Sequence, residues 1–352
     1  LLRGDFAMPD NDRKIWERYS RQVLFAPIGR AGQEKLLNSR VAVIGLGALG
    51  TVSANSLARA GVGYLRLVDR DFVEESNLQR QMLFDEDDAR KAMPKALAAK
   101  AKLEKINSGI TYEALVEDVN YTNVLEFIED VDVVVDATDN FEIRYLLNDA
   151  CVKKGIPWIY GGCMASRGII HTIIPGETAC LYCLLGGPPS AGTGETCDTV
   201  GVIGPIVNIV ASIQVTEAMK LLIGSRQAMN RKAVFIDLWQ NQFLEIEFVK
   251  QEDCPVCGKR SFDFLAGKMQ QNYTYLCGRD AVQVLPPKKQ NLSLEELQKK
   301  LFPLGEVYCN NFLLKFNPGN HELIIFPDGR VLVKGTSDEK EARTLYARYL
   351  GA

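Results

Sequence analysis

Arg40-Val-Ala-Val-Ile-Gly45-Leu-Gly47-Ala48-Leu-Gly50 decides the fold of this chain. A short apolar run rich in Val and Ile reads as a buried strand. The Gly-x-Gly-x-x-Gly that follows it and opens a helix makes a tight turn. Its glycines let backbone approach a phosphate, and the helix N-terminus offers unpaired N–H groups. Asp69 ends the next strand, nineteen residues beyond Gly50, where an acid can accept bonds from ribose hydroxyls. This suits any adenosine-containing nucleotide, and a nicotinamide enzyme uses the same loop and acid. At this point ATP and NAD both stay open.

Outward from the loop, strand and helix patterns alternate. Strands are expected at 64–69, 111–117, 131–138 and 157–161, and helices at 48–60, 88–107 (with Pro94 inside it) and 141–154. That alternation implies α/β architecture: a Rossmann-like, doubly wound, mostly parallel sheet. After Gly162 the runs 167–175 and 233–250 suit antiparallel strands continuing the sheet. Residues 201–223 are apolar nearly all round and read as a buried helix. Residues 1–38 form an N-terminal helical segment anchored by Trp16, Tyr19, Val23, Leu24, Leu36 and Leu37. Residues 39–261 form the nucleotide-binding domain. Residues 262–352 form a small α+β domain, with strands at 270–287, 307–316 and 322–333 and helices at 292–301 and 337–350.

The 352 residues are 47% hydrophobic and 24% charged, with a net charge of −3. These values describe a globular protein and give no basic surface for nucleic acid. No run of eighteen apolar residues and no signal peptide are read, so no membrane partner and a cytoplasmic setting are expected. Nine cysteines are an odd number, which argues against a disulfide framework, and two histidines exclude a histidine cluster. Cys180-Leu-Tyr-Cys183 and Cys254-Pro-Val-Cys257-Gly258 are paired C-x-x-C motifs. Four thiolates at tetrahedral positions suit a structural Zn²⁺, provided the fold closes the gap between the pairs.

The stretch Asp69-Arg-Asp71-Phe-Val-Glu-Glu-Ser-Asn77-Leu-Gln-Arg80-Gln81, followed by Lys95, places cations beside the loop. They can neutralise charge that develops on pyrophosphate when a triphosphate is split at its α-phosphorus, and a nicotinamide enzyme has less use for them. Here the sequence resembles the ThiF/MoeB/HesA adenylyltransferases, relatives of the ubiquitin-activating enzymes, over roughly residues 12–258. Thr138-Asp139-Asn140 ends the fourth strand. An aspartate there can hold Mg²⁺ on phosphates, and the resemblance makes Asp139 the essential carboxylate; a helix cap by Asp139 or Asn140 is the alternative.

The resemblance implies further expectations. ATP contacts Gly45, Gly47, Ala48, Gly50, Asp69, Asp71, Asn77, Arg80, Lys95 and Asp139. Relatives often carry glycine where Ala48 stands. Arg21 matches an arginine that reaches the other subunit's site, so a homodimer is implied. Cys197, in a Gly- and Thr-rich loop, matches a cysteine that bonds the carrier in the thiamine branch and is dispensable in the molybdopterin branch. Cys151, Cys163, Cys277 and Cys309 read as buried thiols. The implied substrate is a small ubiquitin-like sulfur-carrier protein ending in Gly-Gly, adenylated for thiazole sulfur transfer. The same reaction on the molybdopterin-synthase carrier is the alternative, and an NAD-dependent oxidoreductase the more distant one. The sulfur would come from a separate donor protein.

Overall fold

The computed structural model describes residues 16–188, 200–269, 273–276, 281–286 and 290–351, with backbone alone for 273–276. Cys197 and Cys277 lie outside them. The described residues up to 188 and over 202–268 form one compact unit, and those after 268 form a second.

The first unit is built on an eight-stranded sheet of order β3-β2-β1-β4-β5-β6-β7-β8. Strands β1 (Arg40–Ile44), β2 (Tyr64–Val68), β3 (Thr111–Leu115), β4 (Val133–Asp136) and β5 (Trp158–Met164) run parallel. Strands β6 (Arg167–Ile173), β7 (Ala233–Asp237) and β8 (Gln242–Ile246) continue the sheet antiparallel. Successive residues of a strand face opposite sides, so β1 feeds two cores. Val41 and Val43 join the cluster of Leu57, Leu103 and Val210, while Ala42 and Ile44 join that of Leu147, Trp158 and Leu181.

Helices α1 (Gly29–Leu37), α2 (Ala48–Ala60), α3 (Lys95–Ile106) and, crossing from β4 to β5, α4 (Phe141–Lys154) flank the sheet, with α5 (Leu181–Leu185) and α6 (Gly204–Ile223) after β6. α2 ends at Gly61 in the left-handed region, φ 82°, the usual glycine stop. By length and composition α6 could cross a membrane; here it packs on α2, β5 and β6. Its Gln214 is buried and donates to the carbonyls of Asp136 and Ile159 at 2.7 and 3.1 Å.

Several expected elements are divided. The helix read at 88–107 is a short turn, Glu86–Arg90, and then α3, because Pro94 sits at the N-cap, the boundary position that tolerates it. The N-terminal helix breaks between Ser20–Val23 and α1, and Leu24, read as an anchor, is 73% exposed while Tyr19 and Leu36 are buried. The run 233–250 is a hairpin turning at Asn241, φ 53°.

The second unit is a six-stranded antiparallel sheet of order β11-β12-β13-β14-β10-β9. Its strands are β9 (Tyr273–Leu276), β10 (Ala281–Val284), β11 (Glu306–Cys309), β12 (Leu314–Asn317), β13 (Glu322–Ile325) and β14 (Val331–Lys334). Helices α7 (Leu294–Leu301) and α8 (Glu339–Leu350) cover one face around Phe316, Leu323 and Val333. Each of its long predicted strands is a hairpin. Ser293 caps α7 by accepting from the Glu296 N–H at 3.3 Å.

Residues just past the second cysteine pair belong with the first unit. Phe264 stacks on Tyr145 of α4 at 5.3 Å, and the N–H groups of Phe264 and Leu265 donate to Asp149 Oδ2 at 3.0 and 3.2 Å. The division therefore falls seven residues after position 262. Burial pushes the Asp149 carboxyl up to about 7 against the pull of those two bonds, and its Oδ1 has no partner. The unfolded value is about 3.9, so folding favours the protonated form and this group costs stability progressively as pH rises from about 4 to about 7. Asp149→Asn keeps the acceptor and removes the charge. It should melt with the parent near pH 4 and above it at pH 8; melting below the parent at both pH values would show that the buried charge is needed.

Candidate active site

The strand order reverses between β1 and β4, and the crevice at their carboxyl ends is where open α/β sheets bind ligands. The three glycines of the loop have different tasks. Gly45 has φ 91°, and a Cβ there would lie 2.7 Å from the Ala137 carbonyl oxygen. A Cβ on Gly50 would run into the Gly45 carbonyl. Gly47 has no such neighbour: the nearest atom to its Cβ position is Gln81 Nε2 at 3.9 Å. Two glycines close the turn, and the third leaves open space over the start of α2, which no side chain caps. The Ala48 methyl packs on the apolar core, so the departure from glycine is accommodated.

Asp69 does not stand free for a ribose. Its Oδ2 accepts the Leu46 N–H at 2.5 Å and its Oδ1 the Asp71 N–H at 2.7 Å, tying the glycine loop to the β2 end. Burial pushes this carboxyl above its ordinary range, with Lys95 opposing. Lys95, nearly buried at the start of α3, reaches Asp71 Oδ2 at 3.4 Å, and its N–H donates to the Asp71 carbonyl at 2.8 Å. Asn77 is buried and shares a capping box with Glu74. Arg80 Nη1 donates to the Ser76 carbonyl at 2.9 Å. Gly45, Gly47, Ala48, Gly50, Asp69, Asp71 and Lys95 are therefore connected around one crevice, with Asn77 and Arg80 on the segment between Asp71 and α3.

The turn after β4 separates the two roles open at Asp139 and Asn140. Asn140 is the cap: its Oδ1 accepts the N–H groups of Glu142 and Ile143 at 2.7 and 3.4 Å. Asp139 is exposed, and among the described residues no hydrogen bond or ion pair engages its carboxylate. Beneath it lies a brace absent from the sequence reading. Asp136 Oδ1 accepts Thr138 N–H and Oγ1–H at 3.0 and 2.7 Å. Arg144 Nη2 donates to the Thr138 carbonyl at 2.5 Å, and its Nε lies 3.5 Å from Asp136 Oδ2. Burial raises the Asp136 pKa, and Arg144 and Thr138 pull it back. A carboxylate closing a valine strand, Val133-Val-Val-Asp136, was the available signal. Arg70 was also missed; it pairs with Asp118 at 2.8 Å.

Arg21 is not in this crevice. It is exposed on the turn after Tyr19, whose ring abuts Gly61 at the far end of α2. A helix of that length spans about 20 Å. Within one chain Arg21 cannot reach the glycine loop.

The cysteine pairs do meet. Cys180 Sγ lies 3.9 Å from Cys183 Sγ and 3.6 Å from Cys254 Sγ, and Cys183 Sγ lies 3.5 Å from Cys257 Sγ. Four sulfurs about 2.3 Å from a tetrahedral metal are about 3.8 Å apart, so the donor set fits Zn²⁺. Gly258 lets the second knuckle turn, because a Cβ there would meet the Cys254 carbonyl at 2.8 Å. Cys151 is buried as expected, whereas Cys163 and Cys309 are partly exposed.

A phosphate-accommodating loop, an inward lysine and an uncommitted aspartate at the switch point define a nucleotide-binding α/β protein of the adenylyltransferase type. The chain belongs to the ThiF family, whose model matches residues 19–256. It is 46% identical, over 95% of its length and 99% of the relative's, to the sulfur carrier protein ThiS adenylyltransferase of Bacillus subtilis. It is 38% identical over 72% of its length to the Escherichia coli protein of the same name, covering 99% of that relative. It is 33% identical to the adenylyltransferase and sulfurtransferase MOCS3 of Xenopus laevis, over 81% of this chain and 63% of that protein. A crystal structure of E. coli MccB with MccA-N7isoASN shares the fold, with TM-score 0.60 and 24% identity over 72% of this chain and 83% of that one.

The glycine geometry yields a paired expectation. Gly50→Ala should unfold the loop or lower the melting temperature by several degrees, as an overpacked core does. Gly47→Ala should melt with the parent yet bind Mg-ATP more weakly, because its added methyl points into the open space. Equal melting of the two variants would refute this division of labour.

Proposed function

We propose that this chain uses ATP to adenylate the C-terminal glycine carboxylate of a small ubiquitin-like sulfur-carrier protein, for sulfur transfer into the thiazole of thiamine. The observation that carries the reading is Asp139 standing exposed at the switch point while Asn140 takes the cap. The named relatives support the choice of branch. Likeness to the B. subtilis ThiS adenylyltransferase extends through 95% of the chain, against 81% for MOCS3, so the molybdopterin carrier is the second reading. An exposed apolar edge, with Trp239, Phe243 and Val249 at 76%, 59% and 75%, supports a protein substrate.

A carboxylate is a poor acyl donor because its oxygen leaves poorly. The carrier's terminal carboxylate attacks the α-phosphorus of ATP, the bond to the β-phosphate oxygen breaks, and pyrophosphate departs. The acyl-adenylate that remains has AMP as leaving group: the terminal sulfur of a persulfide on a separate donor protein bonds to the acyl carbon, the acyl–oxygen bond to AMP breaks, and AMP departs. Lys95 and Arg80 offset charge on the phosphates as it develops, and the glycine loop holds the nucleotide in line. Mg²⁺ would be held by Asp139 and would neutralise phosphate charge when bound. Zn²⁺ held by Cys180, Cys183, Cys254 and Cys257 would be structural. Cys197 as an acyl acceptor belongs to this reading, as does cytoplasmic residence. The chain acts as a homodimer, each site receiving Arg21 from the partner.

Asp139→Ala should abolish carrier-dependent ATP–pyrophosphate exchange with the melting temperature unchanged; normal exchange would remove Asp139 from the chemistry. If Arg21 acts across subunits, Arg21→Ala and Asp139→Ala proteins, each inactive alone, should on remixing regain about a quarter of the parental rate, because half the dimers are mixed and each mixed dimer holds one intact site. No recovery in verified mixed dimers would place Arg21 elsewhere. Stripping Zn²⁺ with a chelator should lower the melting temperature by several degrees, because the clasp couples metal binding to folding; an unchanged melt in metal-free protein would count against the metal.

A further inference from the structure

Arg70 lies between the two acids of Asp69-Arg70-Asp71, and the proposed chemistry assigns it no task. Its side chain is 15% exposed. Nη1 donates to Asp118 Oδ1 at 2.8 Å, and Nε lies 3.8 Å from Asp71 Oδ1. The other oxygen of Asp71 lies 3.4 Å from Lys95 Nζ. Asp118, Arg70, Asp71 and Lys95 therefore form a line of alternating charge that starts beyond β3 and ends on the lysine that the proposed reaction assigns to the phosphates. The outer end is fixed. The Asp118 carbonyl accepts the side-chain amides of Asn120 and Asn123 at 3.0 and 2.8 Å, and Asn123 Oδ1 accepts the Asn120 N–H at 2.8 Å.

We propose that Arg70, anchored by Asp118, is a positioning residue that shares the Asp71 carboxylate and so leaves Lys95 able to bind the triphosphate. With Asp71 pulled from one side only, the Asp71–Lys95 pair closes and the lysine charge is spent inside the protein. A nearly buried ammonium facing an undivided carboxylate is held more tightly than one facing a shared carboxylate. The fork matters as well as the charge. A guanidinium presents donors to two carboxylates in fixed geometry, while a lysine in its place delivers a point charge to one. Burial opposes the charge on Arg70, but Asp118, Asp71 and Asp139 more than offset it and keep the group protonated.

This deepens the function proposed above and rests on it. The test is carrier-dependent ATP–pyrophosphate exchange with the full chain, together with melting curves. Arg70→Lys and Arg70→Gln are both expected to raise KM for Mg-ATP about tenfold with kcat changed less than about threefold, at an unchanged melting temperature. Asp118→Asn should raise KM similarly, and Arg70→Lys/Asp118→Asn should be no worse than either single variant, because the pair acts as a unit. If Arg70→Lys matches the parent while Arg70→Gln does not, the residue supplies charge alone and the positioning role is overturned. Additive effects of the two substitutions would overturn it too, as would kcat falling together with the melting temperature, which marks a support of the fold only. No exchange by the parent protein with any Gly-Gly carrier would instead overturn the proposed function, and this inference with it.

Discussion

Helix α2 leaves β1 with no space to spare. A Cβ at Gly50 would lie 1.9 Å from the Gly45 carbonyl oxygen, and one at Gly45 would strike the backbone of Ala137 after β4. Three backbone segments meet there at hydrogen-only distance, and the rest of the crevice is set by that contact. It fixes where α2 begins, and so where its unpaired N–H groups point. It also sets the distance from the β1 turn to the β4 turn, and so the position of Asp139 relative to the loop. Asp69 secures the same arrangement from the third side by bonding the Leu46 N–H. An acid that the motif assigns to ribose thus has a prior duty to the loop, and its remaining lone pairs are what a nucleotide could use.

Helix α4 carries that constraint across the unit. Its first turn is capped by Asn140, and Arg144 braces the Thr138 carbonyl. One residue on, Tyr145 stacks on Phe264 and donates to the Gly186 carbonyl at 2.8 Å. A turn later, Asn148 Oδ1 accepts the Leu181 N–H at 2.9 Å, and Asp149 holds Phe264 and Leu265. Leu181 lies inside the first cysteine pair, and Phe264 lies seven residues beyond the second. A single rigid helix therefore has the site turn at one end and the cysteine clasp along its side. This gives a physical reason for pairs some seventy residues apart to close one four-sulfur cluster: both segments are hydrogen-bonded to α4 before any metal is considered.

The sequence was most legible where local chemistry and global packing agree. The helices at 48–60 and 141–154 appear with the predicted ends, because Gly61 and Asn140 are strong stop and start signals. It was least legible where a β pattern continues through a turn. Asp237–Asn241, Asn310–Leu313 and Asp328–Gly329 each reverse the chain inside a run read as one strand. Apolar residues on both sides of a tight turn keep the same alternation, so periodicity alone passes over it, although Asp-Gly and Asn-Asn are turn signals. At the site, the motif residues that the crevice brings together (Gly45, Gly47, Asp69, Asp71 and Lys95) were readable. The residues that hold them (Asp136, Arg144, Gln214, Arg70 and Asp118) were not, because their partners come from other strands and helices, and sequence spacing says nothing about such encounters.

Most of the charge lining the crevice is already paired within the chain. Lys95 is paired with Asp71, and Arg70 with Asp118 and Asp71. Asp69 and Asp139 add carboxylates to the same crevice. A triphosphate entering there meets inward cations that are already engaged. Among the described residues of the motif, Arg80 is bonded to a neutral carbonyl, and the start of α2 adds its unpaired N–H groups. Splitting a nucleotide there builds negative charge on the departing pyrophosphate, and in the proposed reaction Lys95 and Arg80 are the cations of this chain that offset part of it. The proposed reaction adds positive charge from Mg²⁺ and from the partner's Arg21. Arg21 is exposed, lies about a helix length from its own loop, and has Leu24 and Phe25 beside it at 73% and 61% exposure. Under the proposed homodimer, a contact that covers Leu24 and Phe25 would also bring Arg21 to the partner, so one surface would serve both association and catalysis.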